Sequence, residues 1–517
     1  MKMKMGRTSI FSIKLTMLLL VFLLTLSDIG AFSGDWWLLQ LESNLDFNFV
    51  SAIDRTERLT DGEYIAGFNN KPLFQIDLEL YQGHWTFLTE GSIFSLRPPI
   101  VIDTLSIFTP MVKLAYLEYD DQFFSVSIGR RKQSIGISDN NLFVNRDMPF
   151  FDGITVSVGK DTGFRFDSLV SVSNLNQIQS KKKAYESISP LWRWDADTGT
   201  YVQIPTPLYD RYSKFFVYHA LSYVGKNWYV MIGESGILAN PNTVGDLSIF
   251  SNLHNENSDR ANVGMEFQIA TTAIDKLFLY LMAAMDDLPS QKGHQTPRML
   301  AITPSALAIG GGFRWNPIEG KTYEYPTHDA DKGIRRNTDF GSMNGGLIFS
   351  FDYVATSRWM YVRTNQHDSS ITYFNGFQSF YNYFFNPWFI SNPDYYSVPF
   401  GLKYGGDSQL LALKGSYETH DVKINGSFEL LLQGREGRER SVDINYWGSA
   451  DLSEDPDDWM YSGTWISSGD IKPKLMVQLS AEKGLMKWLS IYTGVSLVFS
   501  TYLPFSYTAN IGATISL

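Results

Sequence analysis

The last eleven residues alternate without a break. Tyr507, Ala509, Ile511, Ala513, Ile515 and Leu517 are apolar, and Thr508, Asn510, Gly512, Thr514 and Ser516 between them are polar or glycine. A period of two over this length predicts a strand with one apolar and one wet face. Closing strands of outer-membrane barrels commonly end in an aromatic residue, and Leu517 departs from that habit.

The same alternation recurs along the chain in segments of about ten residues. Phe74, Ile76, Leu78 and Leu80 alternate with Gln75, Asp77 and Glu79. Phe124, Val126 and Ile128 alternate with Ser125, Ser127 and Gly129, and Val263, Met265, Phe267 and Ile269 with Gly264, Glu266 and Gln268. Further strands are predicted from Trp37 to Val50, from Phe215 to Tyr223, from Trp359 to Thr364, from Leu410 to Tyr417 and from Leu489 to Phe499.

Short connections near 82, 121, 161, 225, 273, 356, 420 and 484 alternate with long ones. The long ones are 51–72, 94–110, 130–152, 174–213, 235–260, 287–304, 364–408 and 434–473. Turns on one rim and long loops on the other is the pattern of a transmembrane antiparallel β-barrel of the outer membrane. The count is nineteen, whereas two termini on one rim require an even number. The parity fails between Asn316 and Gly345, where either a strand is hidden near Lys321 to Tyr325 or one element has been split. The expectation is about 18 strands, with 16 and 20 open, in an all-β fold.

The first residues read as an export signal. Lys2, Lys4, Arg7 and Lys14 precede an apolar run from Leu15 to Leu26, and Ala31-Phe32-Ser33 is a small-x-small cleavage site. The expected organisation is a cleaved signal over 1–33, handled by the Sec pathway, and one barrel domain over 34–517. The apolar run is shorter than the roughly 20 residues a membrane helix needs. The chain has no cysteine, which excludes a lipid-anchored cysteine, a disulfide scaffold and thiol chemistry.

Composition sharpens this picture. Tyr, Phe and Trp number 28, 36 and 13, a supply that the rim girdles of a barrel would use. The net charge is −11, and removal of 1–33, with four basic residues and Asp28, takes it to near −14. That argues against nucleic acid as a partner.

Candidate chemistry is sparse. None of the seven histidines has metal-ligand spacing, and no nucleophile motif or phosphate loop is present. No catalytic residue, cofactor or metal is expected, and the chain reads as a non-enzyme. His219, the one histidine within a predicted strand, is expected to be structural or lumen-facing. The acidic run from Asp451 to Asp458 reads as a solvated loop or a cation-bridging one.

Arg130, Arg131 and Lys132 form a basic cluster at the expected outer rim, and Lys181 to Lys183 a second within the 174–213 loop. A rim cluster either pairs with lipid phosphates or points inward and selects anions. Asp77, Glu79, Glu266 and Glu429 are candidate lumen charges. Aromatics crowd two loops: Trp192, Trp194 and Tyr201 in the first, and Tyr381, Tyr383 and Trp388 among many in the second. They serve either as packing and girdle residues or as platforms on which sugar rings stack.

Two stretches resemble the Wzi family of capsule-assembly outer-membrane barrels. One is Gly129-Arg130-Arg131-Lys132-Gln133, followed by Asp139-Asn140-Asn141 and by Pro149-Phe150-Phe151-Asp152-Gly153. The other runs from Pro399-Phe400-Gly401 through Tyr404-Gly405-Gly406-Asp407-Ser408, with Tyr325-Pro326 a weaker echo. The resemblance implies an 18-stranded monomeric barrel with a largely occluded lumen that holds surface polysaccharide without catalysis. The alternative function is a porin or a substrate-specific channel for small solutes. Expected partners are outer-membrane lipid, surface polysaccharide or small solutes, and the periplasmic chaperones and barrel-assembly machinery that any such barrel meets.

Overall fold

A computed structural model of the chain describes, apart from scattered residues within these stretches, 37–50, 74–96, 107–174, 192–203, 214–239, 261–287, 306–325, 334–360, 364–382, 395–434, 471–501 and 505–516. The expected signal, the acidic run and the 181–183 lysines lie outside the described residues.

Among the described residues, eighteen strands make the wall. They are β1 (Trp37–Val50), β2 (Phe74–Gln82), β3 (Trp85–Leu96), β4 (Ile107–Asp120), β5 (Phe124–Ser134), β6 (Phe151–Gly159), β7 (Gly163–Asn174), β8 (Lys214–Val224) and β9 (Trp228–Ala239). The rest are β10 (Ala261–Ile274), β11 (Leu277–Asp287), β12 (Ala306–Ile318), β13 (Gly346–Thr356), β14 (Ser408–Glu418), β15 (Val422–Gln433), β16 (Lys472–Met486), β17 (Leu489–Ser500) and β18 (Ser506–Ser516). Each pairs antiparallel with its chain neighbours, and β18 returns to β1, with Ile515 opposite Leu41 and Tyr507 opposite Phe49. Among the described residues the wall is therefore a closed barrel, in which each strand is paired on both sides.

The period of two sorts the side chains. Leu221, Ile232 and Phe267 lie opposite one another on β8, β9 and β10 and are 54%, 55% and 44% exposed. Leu281, Ile309, Phe349, Leu413 and Ile511 extend this outward apolar belt. Large apolar side chains in a continuous exposed belt face lipid, which makes the molecule a transmembrane barrel. Exposed Trp85, Phe164, Tyr223, Trp228, Trp315 and Trp488 stand at one end of the belt as an aromatic girdle. Phe164 and Tyr223 are in ring contact at 5.2 Å.

The girdled rim carries both ends of the barrel and the turns. Seven of its eight connections have two or three residues. The eighth, 319–345, has 27 and joins β12 to β13. The opposite rim bears connections of 5 residues (501–505) to 51 residues (357–407).

This corrects the sequence reading in two places. The surplus strand is Trp359 to Thr364, not anything between Asn316 and Gly345. Thr356 ends β13 at the long-loop rim, Met360 lies in a turn, and among the described residues Thr364–His367 pairs with Ile371–Phe374 and with no strand of the wall. The connection expected to be short near 356 is thus the longest, and the expected gap at 316–345 is a long insertion on the turn rim. Alternation alone does not reveal which rim a strand end reaches, and one surplus strand hides one long turn-side segment.

His219 is the other correction, and only in part. Of the two expected places it takes the structural one: it lies on the outward side of β8, opposite Ser168 and Glu234, buried and in ring contact with Phe166 at 6.0 Å, rather than in the lumen.

Candidate functional site

The lumen is filled by segments entering from both rims. From the long-loop rim comes 135–150, between β5 and β6. Ile135, Ile137, Leu142, Phe143, Val144 and Met148 are 0–4% exposed and form one core with inward residues of the wall. Each such side chain contributes about 2 kcal/mol by burial. Phe143 lies so close to β10 that a Cβ on Gly264 would sit 2.5 Å from its ring, which only glycine allows.

Polar groups fix the orientation of this loop. Its buried amides need acceptors, and the wall supplies them. The Ile137 amide donates to Gln268 Oε1 at 2.9 Å and the Leu142 amide to Glu266 Oε1 at 3.4 Å. Glu266 also accepts from Tyr218 Oη at 3.0 Å and Gln268 Nε2 at 2.6 Å. Ser138 Oγ lies 3.1 Å from Tyr280 Oη, which donates to Asp352.

Asp139 is the electrostatic centre. Its carboxylate lies 3.1 Å from Lys414 Nζ on β14, 3.2 Å from Arg146 Nη1 within the loop and 3.8 Å from Arg314 Nη2 on β12. Burial would raise its pKa, but Arg146, Lys414, Arg314 and Arg336 hold the carboxyl well below the usual carboxylate range. Arg314 also donates to Ile137 O at 2.9 Å and stands over the Phe278 ring.

The second segment rises from the turn rim. Within 319–345, the three-residue strand Ile334–Arg336 runs parallel to the end of β5, Lys132 to Ser134. Phe340 stacks on Tyr229 at 5.9 Å and meets Phe278 edge-on at 6.2 Å. Between the two segments lies a water-sized recess of about 20 Å³, lined by Ser138, Asp139, Arg314, Arg336 and Asp339 among others.

A third stretch, the end of the 357–407 connection, also turns inward. Leu402 and Tyr404 are buried, and Tyr404 Oη donates to Glu429 Oε2 at 3.4 Å. The two stretches that resemble the Wzi family therefore both contribute to the filling of the lumen.

The other sequence candidates are dispersed. Arg130, Arg131 and Lys132 belong to β5 and do not form one cluster, because successive side chains of a strand face opposite ways. Arg130 pairs bidentately with Asp152 at 2.7 and 2.8 Å and lies over the Phe150 ring. Arg131 is buried against Glu118 at 2.7 Å and over Tyr116. Lys132 sits opposite Ile334. Both arginines thus pair with carboxylates of adjacent strands, Arg130 on the outward face and Arg131 on the inward one. Glu266 is an anchor of the plug, Glu429 contacts the inward turn, and Asp77 and Glu79 lie on β2. Asp77 is buried and sits opposite Glu90.

Trp192 and Trp194 stand in a four-residue strand paired with Thr200–Gln203, Trp194 opposite Tyr201. Tyr381 pairs with Tyr396 between Gln378–Asn382 and Tyr395–Pro399. Tyr383 and Trp388 lie outside the described residues.

Sequence reasoning did not single out Gln268, Tyr280, Arg314, Asn337, Asp352 or Lys414. A readable signal did exist. A loop exposed to water does not need Ile135, Ile137, Leu142, Phe143 and Val144 within ten positions.

No family model and no curated protein matches the chain. Solved structures do resemble it. The Wzi structure, described as an outer membrane protein involved in group 1 capsule assembly in Escherichia coli and a carbohydrate-binding β-barrel, is 11% identical over 92% of this chain and 83% of its own, with a TM-score of 0.44. OccAB4 of Acinetobacter baumannii is 8% identical over 93% and 97%, with a TM-score of 0.42. OccK5 (OpdH) of Pseudomonas aeruginosa is 10% identical over 93% and 97%, with a TM-score of 0.41.

Proposed function

We propose that the chain is an outer-membrane barrel that associates with surface polysaccharide at its long-loop face, without catalysing a reaction, rather than an open diffusion channel. The observation that carries this reading is the filled lumen. An aqueous pore needs a water-lined path, but Tyr218, Glu266, Gln268, Tyr280 and Asp352 spend their polar groups on the plug or on one another. A barrel that does not conduct acts through its surfaces. The aromatic-rich stretches all belong to long-loop connections, and aromatic faces with nearby polar groups suit sugar rings.

The test uses the signal-free protein refolded in planar bilayers and presented to surface polysaccharide. The reading expects a correctly inserted, silent barrel that retains polymer. Steady openings of large conductance, with no retention of polymer, would reverse it. A substrate-specific channel is the second reading. It is favoured by the buried acidic groups Asp77 and Glu90, which face each other on β2 and β3, strands other than those that anchor the plug.

A further inference from the structure

The outer plug is attached to the inner segment as well as to the wall. The ladder between β5 and β6 ends at Arg131 opposite Phe151, although Gln133 Nε2 beyond it still donates to Thr155 Oγ1 of β6. The last three residues of β5 pair with Ile334–Arg336, which arrive from the turn rim. The next residue of that segment, Asn337, makes three bonds. Its amide donates to Ser134 O at 3.3 Å, its Oδ1 accepts from the Gly136 amide at 2.9 Å, and its Nδ2 donates to Asp167 Oδ2 of β7 at 3.2 Å. Asn337 is 3% exposed. The stem of the outer plug is therefore clamped between a turn-rim segment and the wall through one side chain.

We propose that the described stretch 334–345 of this connection is a latch, with Asn337 as its positioning residue, that holds the 135–150 plug in the lumen from the turn-rim side. Separation of Ile334–Arg336 from Lys132–Ser134 is then the step that loosens the plug. An element continuous with the turn rim sets the state of a loop that belongs to the opposite rim. Whatever acts on the turn-rim side thereby reaches the outer face. The inference does not depend on the polysaccharide reading, since it concerns how the plug is held and not what the barrel binds.

Hydrogen exchange of the full-length barrel in detergent micelles tests it. In Asn337→Ala the Gly136 amide loses its acceptor directly, so it carries no information. The amides of Ile137 and Leu142 do, because their acceptors, Gln268 and Glu266, are untouched. The latch predicts exchange across 137–144 at least fivefold faster than in the unaltered chain. A smaller change overturns it, because the plug would then be held by the wall alone.

Should the variant fail to show the heat-modifiable mobility of a folded barrel, a tether decides. The chain has no cysteine, so Lys132→Cys with Ile334→Cys forms a single defined crosslink. Oxidation should slow exchange across 137–144 at least fivefold relative to the reduced protein. An effect below that overturns the latch.

Discussion

Asp139 Oδ2 accepts from Lys414 Nζ at 3.1 Å, a bond between residues 275 positions apart that ties the outer plug to β14. Arg146 and Arg314 share the same carboxylate. Asp139→Asn removes the carboxylate that the three cations share and brings their like charges into opposition, with Asp352, 3.9 Å from Lys414, as the acid that remains beside them. The loss is expected to be about 3 kcal/mol, as for breaking a buried ion pair. The wall does not depend on Asp139, so the barrel should still migrate as folded while protease reaches 135–150.

The same carboxyl predicts a pH response. Its folded pKa is depressed, so its contribution is present above the unfolded value near 4 and is lost only as the pH falls through the folded one. The plug is therefore expected to stay protected at pH 4 and to loosen at lower pH. Protection of 135–150 measured against pH checks this, and loosening between pH 7 and 5 would assign control to another group.

Arg130 and Arg131 are neighbours in sequence but not in consequence. Arg130 and Asp152 are partly exposed, at 32% and 41% of their side chains, so Arg130→Ala should cost no more than about 1 kcal/mol. Arg131→Ala removes a largely buried cation 2.7 Å from Glu118 and should cost about 3 kcal/mol. Urea unfolding of the two variants in micelles gives the order.

Gly341 has φ +74°, and a Cβ there would lie 2.1 Å from the Phe278 ring. Gly341→Ala therefore meets both backbone strain and a clash with a ring that already packs on Phe340. Destabilisation of about 2 kcal/mol or more is expected, confined to the inner segment. Faster cleavage within 334–345, with barrel mobility unchanged, is the readout.

If the plug is displaced, the exposed wall is acidic in character, with Asp77, Glu90, Glu266 and Asp352 among its buried groups. Conductance induced in Asp139→Asn should therefore favour cations over anions, measured as a reversal potential in a salt gradient. Anion preference would show that the freed Arg314 and Lys414 dominate instead.

The wall was legible because its physics is local. A period of two and a supply of turn residues recur whatever the rest of the chain does, and Ile511 and Phe267 face lipid as alternation predicts. The filling was not legible, because it rests on pairs such as Asp139 with Lys414 and Asn337 with Asp167, whose spacing carries no periodic signature. Arg130 and Arg131 show the same limit from the other side. Adjacency suggested a cluster, but the pleat separates them. The 319–345 segment was masked by the surplus strand at Trp359 to Thr364, since one error in the count offset the other.

The pairing of Ile334–Arg336 with Lys132–Ser134 also bears on assembly. Two hundred residues separate these partners, and the segment from 319 onward follows the twelfth strand of the wall. The seam between β1 and β18 needs the last residues of the chain. If strands join the wall in chain order, the stem of the plug gains its inner partner before the seam can close. The interior would then be furnished while the cylinder is still an open sheet, and nothing large would need to be threaded into a finished ring. Pulse labelling that finds 132–136 protected before the β1–β18 register forms would establish that order, and the reverse sequence of events would refute it.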